Sequence, residues 1–194
     1  MPAPGMPRRA NAVVSLLDSA ASDRVSSIWK GLEHRLGLRG IFVMPYPHFT
    51  YHVAADYDRE SLEPALDDLS RSIAPFEVRT SGIGTFGSPW PVVFIAVDPD
   101  PALRVLHQRV WSLSSSHARE SAAYYQPPRW VPHISLAYGD EHRAVPLSER
   151  EVGEVRAMLG KGEYRWTLPI DNLALVIDHG AEQAPVRRFA LRGP

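Results

Sequence analysis

The chain has 194 residues, 18 prolines, 8 histidines, no cysteine and a formal net charge of −1. The missing thiols exclude a disulfide scaffold, a cysteine-ligated zinc site, an iron–sulfur cluster and a thiol nucleophile. With 21 basic against 22 acidic side chains, a long nucleic-acid groove is disfavoured, because such a groove usually shows a basic excess.

Hydrophobic residues make up 44% of the chain, enough to build a core and too many for intrinsic disorder. No apolar run approaches the roughly 20 residues that span a bilayer. Met1 to Arg9 is Pro-rich and then basic, and the apolar stretch after it, Ala12 to Leu17, is too short for a secretory h-region. The expectation is a cytosolic, membrane-free protein with a flexible segment at 1–10 and a single domain at 11–194.

Strand and helix patterns then alternate. Asn11 to Leu17 reads as a buried strand. Val25, Ile28, Trp29, Leu32 and Leu36 fall at helical spacing, with Ser22 or Asp23 as cap and Gly40 as the end. Pro45 and Pro47 punctuate the connection to a strand at His48 to Ala54. Leu62, Ala65, Leu66, Leu69 and Ile73 mark a second helix, in which Pro64 fits only in the first turn. Phe76 to Thr80 alternates as a strand, and Pro91 to Val97 is apolar throughout, as a central strand would be.

The second half repeats the order. Asp100-Pro101 is a cap followed by proline at the first helical position, and Leu103, Leu106 and Val110 supply the buried stripe. His133 to Tyr138 reads as a strand. Ser148 and Glu151 have capping-box spacing ahead of Val152, Val155 and Leu159. Tyr164 to Leu168, Leu173 to Ile177 and Val186 to Leu191 read as closing strands. A shift of 133 − 48 = 85 carries His48 onto His133, Leu62 and Leu69 into the later helix, and Phe76 to Thr80 onto the start of the Tyr164 strand. The pattern is that of two β-α-β-α-β lobes in tandem.

The repeat is anchored on Pro47-His48-Phe49-Thr50-Tyr51 and Pro132-His133-Ile134-Ser135-Leu136. Along a strand, side chains alternate, so each imidazole shares a face with a hydroxyl about 6.6 Å away while the apolar neighbours point back. Imidazole titrates near neutrality, so one histidine can act as base while the other is acid. Two hydroxyls can hold the non-bridging oxygens of a phosphate between them. This set suits in-line displacement at phosphorus without a metal.

These motifs resemble those of the two-histidine (2H) phosphoesterase superfamily, especially its 2′-5′ RNA ligase-like and cyclic phosphodiesterase branches. The likeness runs from about Asn11 to Leu191. It includes the glycine-punctuated Gly82-Ile83-Gly84-Thr85-Phe86 segment and Trp130-Val131-Pro132-His133-Ile134-Ser135-Leu136-Ala137. The resemblance implies an α+β, bilobal fold, with two pseudo-symmetric lobes and antiparallel-rich sheets flanking a central cleft. It implies His48, Thr50, His133 and Ser135 as catalytic residues, no cofactor, no metal, and chemistry on 2′,3′-cyclic phosphates or 2′-5′ linkages. Tyr51 departs from the family's usual leucine, and Ser135 from its threonine.

Other candidates are weaker. His48 and His52 would span about 13 Å on a strand, too far for one zinc ion, but His52 would share the face of His48 and could line the cleft. Tyr124, Tyr125, Arg129 and Trp130 could contact a base or phosphate at the cleft mouth. His107 and His117 are expected at the surface, Tyr138 in the core, and Arg187, Arg188 and Arg192 on a solvated face. His142 and Arg143 could lie near the cleft, and His179 in a turn. Gly82 to Gly84 precedes no helix, so a phosphate loop is disfavoured.

The expected enzyme opens the 2′,3′-cyclic phosphate of a nucleotide or RNA end by attack of water, with His133 as base and His48 as acid. The reverse sense would ligate. The rival readings are a receptor for RNA ends or nucleotides that uses the same cleft without turnover, and a structural domain in which the motifs pair by coincidence. No obligate protein partner is evident.

Overall fold

The computed structural model describes residues 11–139, 145–160, 162–178 and 183–193. In chain order its main elements are β1 (Asn11–Leu16), α1 (Ser19–Leu36), β2 (His48–Tyr57), α2 (Arg59–Arg71), β3 (Phe76–Phe86), β4 (Val92–Val97), α3 (Pro101–Ser116), β5 (Ala118–Ser121), β6 (His133–Tyr138), α4 (Glu149–Leu159), β7 (Thr167–Ile170), β8 (Asn172–Asp178) and β9 (Gln183–Ala190). Residues 1–10, His142, Arg143 and His179 lie outside the described residues.

Helix boundaries follow the capping chemistry. Asp18, not Ser22 or Asp23, caps α1 by accepting from the Ala21 N–H at 2.8 Å. Gly37, with φ of 69°, ends it in the left-handed region. Gly40 instead opens a 3₁₀ turn (Gly40–Val43), where a Cβ would collide with the Gly139 and Tyr138 carbonyls at the end of β6. Asp58 caps α2, which places Pro64 sixth in the helix, beyond the first turn. Asp100-Pro101 and the Ser148/Glu151 capping box start α3 and α4 as their sequences predict. β3 does not stop at Thr80. It continues through Gly82, which sits at a register shift with φ of 127°, to Phe86. β7 begins three residues later than the sequence suggests, and the short β5 carries no alternating apolar signal.

The strands form two antiparallel sheets, ordered β5-β2-β1-β8-β9 and β6-β4-β3-β7. The series β2-β1-β8-β9 and β6-β4-β3-β7 correspond position by position, a pseudo-symmetry in which β3 is equivalent to β8 and not to β7, the strand onto which the 85-residue shift carries it. The lobes are interleaved, however, and not laid out in tandem. β3, from the first half, pairs with β4, and β8, from the second, pairs with β1. The first helix of each half crosses over as well: α1 packs on β6 and α3 on β2. The apolar stripes of the helices and both sheets merge in one core that includes Val25, Trp29, Leu32, Leu103, Leu106, Val110, Val93 and Ile95. A smaller cluster, with Ala12, Val14, Val53, Ala174 and Val176, covers the other face of the larger sheet.

Candidate active site

Both motifs begin their strands at equivalent places. The Pro47 carbonyl accepts from the Leu17 N–H at 3.0 Å, and the Pro132 carbonyl from the Val97 N–H at 3.1 Å. The His48 and His133 Nδ1 atoms each lie 2.7 Å from the backbone carbonyl two residues upstream, of Tyr46 and Val131. A carbonyl only accepts, so Nδ1 carries the hydrogen in both rings and Nε2 bears the exchangeable lone pair. Thr50 and Ser135 follow on the same strands, half-buried like the histidines. Among the described residues neither hydroxyl has a protein hydrogen-bond partner, so both can donate to a ligand.

The two strands also bulge at the same point. Val13 pairs with His52 and Val14 with Thr50, leaving Tyr51 extra. Val93 pairs with Ala137 and Phe94 with Ser135, leaving Leu136 extra. The bulge at Tyr51 reverses the alternation beyond it. Phe49, Tyr51 and Ala54 belong to the main core, while Val53 faces the opposite cluster.

His52 is therefore not a cleft residue. It is fully buried against α3, with Nδ1 at 2.7 Å from the Tyr57 hydroxyl, Nε2 at 3.2 Å from Ser115 Oγ, and its ring 4.6 Å from that of Trp111. Trp130 is buried too, stacked on His107 at 3.8 Å, with its indole N–H donated to the Thr50 carbonyl at 2.8 Å. His107 is a core residue, not a surface one, and its Nε2 donates to the Tyr125 carbonyl. Tyr125 is half-buried, packed on both apolar clusters, and Arg129 is exposed. His117 is half-buried at the C-terminal end of α3. Tyr138 packs on the core as expected. Arg187 and Arg188 are surface residues paired with Glu63 and Asp171. The hydroxyl of Tyr51 is accommodated by a chain in which it donates to Ser15 Oγ (2.8 Å), which donates to the Asn172 carbonyl (2.6 Å).

The environments of the two imidazoles differ. His133 sits edge-on to Phe86 at 4.9 Å and against Phe94 at 5.2 Å. Gly84 leaves the space that the Phe94 ring fills. Burial pulls His48 down from the ordinary 6.5 to about 4; the Tyr46 carbonyl opposes this, and the charge of His133 adds to it. Burial also lowers His133, against the Val131 carbonyl. The strands that carry the two imidazoles, β2 and β6, lie next to each other. Among the described residues, no three His, Cys, Asp or Glu side chains converge as a metal-ligand set, and no helix is long and apolar enough to cross a membrane.

The model of the 2′-5′ RNA ligase superfamily matches residues 18–182. The chain belongs to this superfamily of 2H phosphoesterases. A relative named "Putative phosphoesterase" in Bacillus thuringiensis (strain Al Hakam) is 25% identical over 133 residues, 67% of this chain and 69% of the relative. Among solved structures, TT0787 of Thermus thermophilus superposes with a TM-score of 0.60 at 21% identity, covering 95% of this chain and 98% of its own. LigT of E. coli, crystallised with NADP+, gives 0.57 at 18% identity, covering 96% and 98%. These structures share the two-sheet α+β fold.

Proposed function

We propose that this phosphoesterase opens 2′,3′-cyclic phosphates of nucleotides or RNA ends, with the same site able to run the reverse, ligating reaction. The reading is supported above all by the matched pair of imidazoles. Each has Nδ1–H locked to a backbone carbonyl and, among the described residues, no partner on Nε2 and none on the hydroxyl two residues on. Water attacks phosphorus and the bond to O2′ or O3′ breaks. One Nε2 takes the water proton, the other gives a proton to the leaving oxygen, and Thr50 and Ser135 hold the non-bridging oxygens. In hydrolysis the assignment read from the sequence, His133 as base and His48 as acid, is kept, and the reverse reaction exchanges the two roles. Arg129, exposed just before the second motif, remains a candidate contact for the rest of the substrate.

The test is a panel of 2′,3′-cyclic nucleotides and short RNAs with cyclic-phosphate ends, assayed with and without EDTA and with products resolved as 2′- or 3′-phosphates. Turnover unaffected by EDTA is expected. Tight binding without turnover would support the receptor reading instead, and neither binding nor turnover would contradict both.

A further inference from the structure

The strand bulges at Tyr51 and Leu136 interrupt the ladder beside the two residues that supply the hydroxyls. At each interruption a tryptophan indole meets the backbone. Trp130 Nε1 donates to the Thr50 carbonyl at 2.8 Å, and Trp29 Nε1 donates to the Ser135 carbonyl at 3.1 Å. Trp130 lies in the second half and braces the first motif, whereas Trp29 lies on α1 in the first half and braces the second. Both rings are buried, with relative exposures of 7% and 2%. Each is held in plane by an aromatic neighbour: Trp130 by His107, stacked 2° from parallel, and Trp29 by Phe42, edge-on at 6.3 Å.

We propose that Trp29 and Trp130 are positioning residues that aim the two phosphate-holding hydroxyls, each reaching across from the opposite half of the chain. A bulge leaves its strand one residue out of step with the partner and weakens the ladder there. The peptide plane after Thr50 or Ser135 then has fewer neighbours to fix it, and the Cα that carries the hydroxyl turns with that plane. An indole N–H on the carbonyl restores the constraint. Trp has one donor and no acceptor, so the buried indole has no other bond to make among the described residues. Crossing the two braces couples the halves: the separation of the strands and the aim of both hydroxyls are set by the same contacts. The inference rests on the reading that Thr50 and Ser135 hold phosphate oxygens.

A crossed set of double-mutant cycles tests it. Trp130→Phe and Trp29→Phe are each combined with Thr50→Val and Ser135→Ala, and kcat and KM are measured on a 2′,3′-cyclic nucleotide. Losing one hydrogen bond is worth about fivefold, expected in kcat with KM little changed. Trp130→Phe should cost this factor alone or beside Ser135→Ala, and almost nothing beside Thr50→Val. Trp29→Phe should show the mirror pattern. If phenylalanine leaves too large a hole, the benzothiophene isostere of tryptophan keeps the shape and removes only the N–H. Equal losses in both backgrounds, or no loss in the parent, would overturn the proposal. If the parent binds a 2′-nucleotide without turning over a cyclic one, the phosphodiesterase reading fails, and the same crossed pattern is then sought in the dissociation constant of the 2′-nucleotide.

Discussion

At the scale of single residues, the chemistry depends on two histidines whose hydrogen-bonding roles are fixed by main-chain carbonyls. Their protonation sets the pH behaviour. Acid–base catalysis needs one imidazole charged and the other neutral, and kcat/KM reports these states in the free enzyme. Burial favours the neutral ring, holding His133 below its ordinary value and His48 at about 4. A lowered pKa means that the proton is lost earlier as pH rises. The singly protonated pair is therefore most abundant above about pH 4, the His48 value, and is lost before the ordinary imidazole value is reached, because His133 is lowered too, so kcat/KM should fall as pH rises from 6 to 8. A pH–rate profile checks this; a plateau or rise across that interval would show that the acid is not depressed. A bound phosphodiester anion favours the charged imidazole, so the kcat profile should lie at higher pH than that of kcat/KM.

At the scale of elements, β3 shows why glycine is needed near a site it does not touch. Any Cβ at Gly84 falls inside contact distance of the Phe94 ring, which is already packed against Phe86 at 4.3 Å and against His133. Gly84→Ala should displace Phe94 toward His133 and lower kcat/KM about tenfold or more, while affecting the His48 side little. Steady-state kinetics beside a thermal melt would check this, and full activity would contradict the packing described. The strands and helices themselves were readable because apolar periodicity and caps are local signals: Asp100-Pro101 and Ser148/Glu151 start helices where they predict. The same local logic placed His48, Thr50, His133 and Ser135 on two strand starts. It failed at His52 because an alternation rule presumes an unbroken ladder, and no residue type between Thr50 and Val53 announces a bulge. His107, expected at the surface, is buried for a related reason. Which side of a ring is buried depends on α3 crossing over β2, a contact between elements far apart in the chain.

At the scale of the molecule, the 85-residue echo in the sequence corresponds to two halves whose strands and first helices cross over: β3 joins the sheet of the second half, and β5, β8 and β9 join that of the first. Such interleaving explains why the motifs are symmetric in the chain yet form one site. It also explains why the two indole braces run between the halves. Neither sheet is built by one half alone, so the relative placement of β2 and β6 is fixed by the whole core and not by a hinge between lobes. A chain with 21 basic and 22 acidic side chains offers such a site little long-range attraction for an extended polyanion. Recognition would then rest on local donors around one phosphate. The decisive measurement is the kcat/KM of His48→Ala and of His133→Ala on a 2′,3′-cyclic nucleotide, each with its fold verified by circular dichroism. The two-imidazole mechanism predicts that either substitution alone removes at least about a thousandfold of the activity. Near-parental turnover in either folded variant would contradict it.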